Sequence, residues 1–214
     1  MPRFVDNAPE AVLAAAKEML AKGLVEGTAA NISARQADGA VCVTPSSIDY
    51  EEMALEDLVV DLEGKVVSGE RSPSSELPLH LAAFNAFDDV GSVIHSHPVH
   101  ATMFAVARQP IPSCIDEFTI YVGGDVRVTE YAMSGHKNVG QNAVDALQGR
   151  GAALLANHGL VAVGPSPAKE LHITALVERS AFIIWGARQL GEIHHLPEKV
   201  DKQFAGVYEY MRQN

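Results

Sequence analysis

GSVIHSH, residues 91–97, reads as a β-strand with Val93 and Ile94 as its apolar centre, and Pro98 then opens a helical pattern to Ala107. A second apolar run, AALLAN at 152–157, reads as a buried strand that ends on His158-Gly159. Strand, helix and strand in this order imply layers, so the rest of the chain is read for elements that cover a sheet.

Working outward, residues 8–22 predict a helix: Pro9 suits the first turn, alanine dominates, and Gly23 stands where a C-terminal cap belongs. A polar loop containing Asn31 and Ser33 follows, then a short β-rich run from Val41 to Thr44, closed by Pro45. LVVDLEGKVV, 58–67, reads as a hairpin around Glu63-Gly64. Ser74 and Ser75 precede a helical pattern to about Phe87, with Pro78 tolerated in the first turn. After an irregular stretch, helical patterns cover 136–148, 167–190 and about 197–212. No repeat or linker divides the chain. The expectation is one α/β domain over 1–214 with a mixed or largely antiparallel sheet.

Composition narrows the function. The 214 residues are 47% hydrophobic, enough for a sizeable core, and a formal charge of −11 comes with no cluster of Lys and Arg. Nucleic acid and anionic membranes are therefore not expected partners. Met1 to Glu10 contains no apolar stretch of the secretory kind, and no apolar run approaches a membrane span. Cys42 and Cys114 lie far apart without a CxxC pattern, which suits reduced thiols and a cytoplasmic setting. In the longest helix, Leu171, Ala175, Leu176, Phe182, Ile183, Trp185 and Ala187 cover more than one narrow face. It is either a deeply buried core helix or a subunit interface.

Three of the nine histidines occupy positions that chemistry selects. His95 and His97 alternate along the predicted strand, so both rings leave one face, with Cα atoms roughly 7 Å apart. His158 ends another strand, and Gly159 allows a sharp turn there. Three neutral imidazoles form a common catalytic zinc set with one open position; hydrogen-bonded histidines at sheet edges are the alternative. Glu76 falls in the first turn of its helix, where the dipole favours an anion. Ser74 and Ser75 are helix caps or, with free N–H groups beside them, an anion site.

The ordered segments Asn31-Ile32-Ser33, Thr44-Pro45-Ser46-Ser47, Pro73-Ser74-Ser75-Glu76, His95-Ser96-His97-Pro98 and Ala156-Asn157-His158-Gly159 resemble the class II aldolase/adducin-head family. The resemblance runs from about Pro9 to Tyr210. It implies a three-layer α/β/α sandwich with a mixed, mainly antiparallel central sheet, assembled as a homotetramer with active sites at subunit interfaces. It implies that His95, His97 and His158 bind Zn²⁺ or another divalent transition metal. Glu76 would be the acid/base and would ligate the metal when no substrate is bound. Asn31, Ser46, Ser47, Ser74 and Ser75 would surround a substrate phosphate. The expected activity is aldol cleavage of a sugar or sugar phosphate; an epimerase or decarboxylase using the same site, or a non-catalytic assembly domain, are the alternatives.

Two departures stand out against that family. Its phosphate loop usually reads Gly-Asn and Thr-Pro-x-Gly, whereas Ala30 precedes Asn31 here and Ser47 replaces the second glycine. After Ile111-Pro112, a catalytic tyrosine of some members is absent; the chain reads Ser113-Cys114-Ile115-Asp116-Glu117-Phe118. Asp116 or Glu117 is the candidate for proton transfer, the alternative being a solvated acidic pair. His80, one turn after Glu76, is a candidate to support the metal site from behind. His100 either orients the metal loop or is a satisfied buried histidine, and His194-His195 reads as a surface loop. Tyr208 and Tyr210 belong to an amphipathic helix or reach an active site.

Overall fold

A computed structural model describes residues 2–62 and 65–213, so the predicted Glu63-Gly64 turn lies outside the described residues. The first helix, α1 (Ala8–Ala21), buries Val12, Ala15, Ala16 and Met19, one stripe at helical spacing. The strands β1 (Asn31–Arg35), β2 (Val41–Val43), β3 (Val59–Leu62) and β4 (Lys65–Ser68) follow. Then come α2 (Leu77–Ala86), β5 (Ser92–Ser96), α3 (Val99–Ala107), α4 (Asp116–Val122) and β6 (Arg127–Val128). The chain ends with α5 (Lys137–Ala146), β7 (Ala152–Leu155), β8 (Gly159–Gly164), α6 (Pro167–Leu190) and α7 (Glu198–Gln213).

Among the described residues, these strands form one sheet in the order β4-β3-β2-β1-β5-β8-β7-β6. Every neighbouring pair is antiparallel except β6 and β7. One face carries α1, α3, α4 and α6, and the other carries α2 and α5. The result is the expected α/β/α sandwich with a mixed, mainly antiparallel sheet.

Alternation along β5 sorts the two layers. Ile94 joins the core beneath α1 and α6, whereas Val93 faces α2 and α5. Each Val or Ile fully buried this way contributes roughly 1.5–3 kcal/mol before conformational entropy is counted. Helices α2 and α5 approach so closely that a Cβ on Gly140 would stand 2.7 Å from the Ala82 Cβ.

Several elements differ from the sequence reading. The segment expected as a polar loop around Asn31 and Ser33 is strand β1. Its Ile32 and Ala34 join the α1 core, while Asn31 and Ser33 are buried on the opposite face. Polar residues that satisfy one another there disguised the strand's alternation. The strand expected over 152–157 ends at Leu155, and β8 begins at Gly159 with no strand predicted there. The irregular stretch contains α4 and β6. His97 lies just beyond the end of β5, and Glu76 is the N-cap of α2 rather than inside its first turn.

The long apolar pattern of α6 divides in two. Leu171 and Leu176 are buried, but Phe182, Ile183 and Trp185 are exposed, beside exposed Val99, Met103 and Val106 of α3. Cys42 and Cys114 are free thiols. Among the described residues, no helix is long and apolar enough to cross a membrane.

Candidate active site

At the end of β5 nearest α2, the ladder places Asn31 opposite His95 and Ser33 opposite Val93. On the other side of β5, His95 pairs with Val161 of β8. His95 is fully buried, and its Nδ1 lies 2.9 Å from the Leu160 carbonyl. A carbonyl only accepts, so Nδ1 carries the proton and Nε2 presents a lone pair in the neutral ring.

His158 reaches the same point from the three-residue turn between β7 and β8, which the Leu155–Gly159 pair closes. Asn157 takes the left-handed conformation in this turn, at φ 55°, and its Oδ1 accepts from Arg108 Nε at 2.8 Å. Asparagine enters that region more readily than most residues. Gly159 is required by proximity rather than by φ. A Cβ there would stand 2.5 Å from both His97 Cδ2 and the Ser96 carbonyl oxygen.

The three rings converge. Centroid separations are 4.7 Å for His95–His97, 4.6 Å for His95–His158 and 5.1 Å for His97–His158. One ring nitrogen from each lies within 4.8 Å of the others. Burial, followed by the neighbouring His95 and His158 charges, pushes His97 down to about 4. Burial and then His95 lower His158 as well. Both shifts favour the neutral imidazole, which is the form that ligates metals.

Glu76 borders this cluster. Its Oε2 lies 2.8 Å from His95 Nε2, yet that nitrogen has no aligned hydrogen-bond partner. A lone pair and a carboxylate oxygen this close repel unless a proton or cation stands between them. This contact fits the donor set to a divalent cation, held by three imidazoles with the carboxylate alongside. Burial would push the Glu76 carboxyl up, but positive charge at His95, the Ser134 hydroxyl and positive charge at His158 hold it well below the usual carboxylate range, and with neutral rings a bound cation would supply that charge. Ser134 Oγ donates to Glu76 Oε1 at 2.6 Å. Sequence reasoning missed Ser134: it lies 58 residues from Glu76, on the loop before α5, and no spacing pattern marks it.

Beside the histidines opens a cavity of about 210 Å³. Asn31, Ser46, Ser47, Ser74 and Ser75 line it together with Glu76, His97 and His158. Ser47 stands at φ 60°, the backbone region glycine enters freely. The loop thus keeps a glycine-like shape at a cost of about 1–2 kcal/mol. Ser74 Oγ accepts from the Glu76 N–H at 3.2 Å, so this serine fixes the backbone that carries the carboxylate.

Asp116 and Glu117 are exposed at the start of α4 and do not line this cavity; Glu117 lies 3.7 Å from Arg179. Tyr208 is buried and accepts from Arg212 at 3.0 Å. It borders a separate, more apolar cavity of about 520 Å³ that holds neither Glu76 nor the three histidines. Tyr210 borders it too. His100 is half-buried and bonds Glu178 at 2.7 Å, and His194-His195 lies in an exposed loop.

The class defined by this sheet and this cluster is matched by known proteins. Residues 10–185 match the model of the class II aldolase and adducin N-terminal domain family. The 5-deoxy-D-ribulose 1-phosphate aldolase of Bacillus thuringiensis is 33% identical over 202 residues, 94% of each chain. The 5-methylthioribulose-1-phosphate/5-deoxyribulose-1-phosphate aldolase of Rhodospirillum rubrum is 35% identical over 86% of this chain and 82% of its own. A solved L-fuculose 1-phosphate aldolase superposes with a TM-score of 0.90 at 35% identity, covering 96% of this chain and 98% of that one. The chain belongs to the class II aldolase and adducin N-terminal domain family and stands among its aldolases, which are carbon–carbon lyases.

Proposed function

We propose that this chain, acting as one domain, is a zinc-dependent aldolase that cleaves a ketose bearing a phosphate. The observation that carries the reading is the convergence of His95, His97 and His158 beside Glu76, next to a cavity that Glu76, His97 and His158 line together with hydroxyls and an amide. Relatives named as sugar-phosphate aldolases support it.

The three histidines would hold a divalent cation, which when bound acts as a Lewis acid on the charge that collects as the carbon–carbon bond breaks. Glu76 moves a proton to and from the carbon next to the carbonyl. Its orientation comes from Ser134 on one oxygen and Asn31 on the other. Ser46, Ser47, Ser74, Ser75 and Asn31 supply neutral donors to the phosphate, so an acidic chain needs no cationic patch there. Four copies would assemble through the exposed apolar faces of α3 and α6. In that assembly Asp116 or Glu117 would serve a neighbouring site.

The test is a screen of phosphorylated and free ketoses, with Zn²⁺ added, for aldehyde release. It is paired with deuterium uptake from solvent into the ketone or hydroxy-carbonyl fragment alone. Glu76→Gln should lower both rates by roughly 10²–10⁴-fold while zinc content stays near wild type. Exchange at the wild-type rate in that variant would put the base elsewhere, first at Asp116 or Glu117.

A further inference from the structure

His80 lies on α2, one turn beyond Glu76, and its side chain is completely buried. Its Nδ1 is 2.6 Å from Ser33 Oγ and its Nε2 is 2.5 Å from Asn31 Oδ1. Asn31 Nδ2 in turn donates to Glu76 Oε2 at 3.4 Å. An asparagine amide has nearly the same shape either way round, so chemistry must decide which end faces which neighbour.

Here the choice propagates. Ser134 donates to one Glu76 oxygen, and the amide turns its nitrogen to the other and its oxygen to His80, the orientation in which both carboxyl oxygens accept. The oxygen then requires a donor, which makes Nε2 the protonated nitrogen of His80. Burial pushes His80 down to about 3, so the ring is neutral and has one N–H to give. Nδ1 is left as an acceptor, and Ser33 donates to it. The chain of donors runs one way: Ser33 to His80, His80 to Asn31, Asn31 to Glu76.

We infer that His80 is a positioning residue: its single Nε2–H locks the Asn31 amide with the nitrogen toward Glu76 and the cavity. A flipped amide would set its oxygen against the Glu76 carboxylate and offer an acceptor to an anionic substrate group. With the lock in place, Asn31 presents only donors there. This inference rests on the reading of Asn31 and Glu76 given above, and it deepens it by naming what fixes the anion-binding end of the site.

The decisive comparison is between two amide replacements. His80→Gln carries an N–H near the position of Nε2, whereas His80→Asn reaches only the position of Nδ1. For a phosphorylated ketose, H80N should raise KM roughly ten- to hundredfold, as expected when the unlocked Asn31 amide no longer donates to the charged phosphate. H80Q should recover most of that loss. Zinc content should match wild type in both, and kcat should move less than KM. A merely structural role would make the two variants fall together in stability, zinc content and kcat.

Two readouts do not depend on turnover. Long-range ¹H–¹⁵N spectra of the wild-type protein should show His80 neutral with its proton on Nε2; a proton on Nδ1 overturns the inference. Inorganic phosphate should raise the melting temperature of wild type and H80Q but not of H80N, and equal shifts in all three likewise overturn it. If no ketose is cleaved even by wild type, the aldolase reading fails while these two measurements still decide the role of His80.

Discussion

Asn31 and His95 stand directly opposite each other across the β1–β5 ladder. One is proposed to hold the substrate and the other the ion, so a single pair of hydrogen-bonded strands fixes both halves of the site. A slip of one residue between these strands would turn one of the two side chains into the α1 layer and leave the other facing the site alone. The apolar alternation of Ile32 and Ile94 beneath α1 resists that slip.

Metal binding is the first expectation to check. Replacing His95, His97 or His158 by alanine should each remove most of the zinc, measured by elemental analysis after gel filtration. His95→Ala should also cost about 1–3 kcal/mol of stability, because the Leu160 carbonyl loses its buried donor. His158→Ala should cost less, its side chain being 19% exposed. Full zinc content in any folded variant excludes that histidine as a ligand.

Gly159→Ala should act on the metal through His97. The added methyl meets a ring atom and a backbone oxygen at 2.5 Å, and neither can yield without moving the loop. A loss of about 1–3 kcal/mol, together with weaker zinc binding in a chelator competition, is the expected outcome. Gly206→Ala, on α7 with nothing within 4 Å, is the control and should gain about 0.5–1 kcal/mol. If G159A melts and binds zinc as wild type does, the close approach has no consequence for the site.

Glu170 gives the pH dependence. It is fully buried on α6; Oε1 accepts from the Ser166 N–H at 3.3 Å, and the Ser92 hydroxyl also faces the carboxyl. Burial raises its carboxyl well above the ordinary value, outweighing the hydrogen bonds that oppose the shift. The folded chain therefore holds a proton that the unfolded chain releases. The resulting stability is fully present below the unfolded pKa and is lost as pH climbs through the folded one. Glu170→Gln should flatten that decline, so the melting temperatures of variant and wild type should diverge in the variant's favour from pH 5 to pH 9. Parallel curves would show that Glu170 ionises normally.

Assembly is read by light scattering at micromolar concentration, where the proposed tetramer has four times the 22.9 kDa chain mass. Phe182→Glu, at a half-exposed site on α6, should shift the population to smaller species with unchanged helicity. A wild-type monomer that turns over substrate would remove the tetramer from the mechanism.

The sequence was informative where periodicity was clean. The α1 pattern at 8–22 and the α6 pattern at 167–190 correspond to Ala8–Ala21 and Pro167–Leu190. It was opaque where burial is polar. Asn31 and Ser33 look like loop residues until His80 is seen bonding both. His95, His97 and His158 were legible as candidates from their places near predicted strand ends, although His97 lies just past β5 and His158 in the turn after β7, so strand alternation is not what gathers the rings. Ser134 was not, since its contact with Glu76 depends on how a loop folds back over α2. Gly159 was singled out for turning, whereas its measurable constraint is the His97 ring beside it.

The pairing of β5 with β8 joins segments that lie far apart along the chain, with Ser96 opposite Leu160. A folding intermediate that has formed only the β1–β2–β3 meander therefore contains none of the three imidazoles in register. A cation bridging His95, His97 and His158 would recognise only the fully threaded topology, because their gathering requires that long loop to be closed. Zinc concentration would then act on the folding equilibrium by mass action, favouring the native topology over every shorter-range arrangement. The site would work as a proofreading clasp for the sheet.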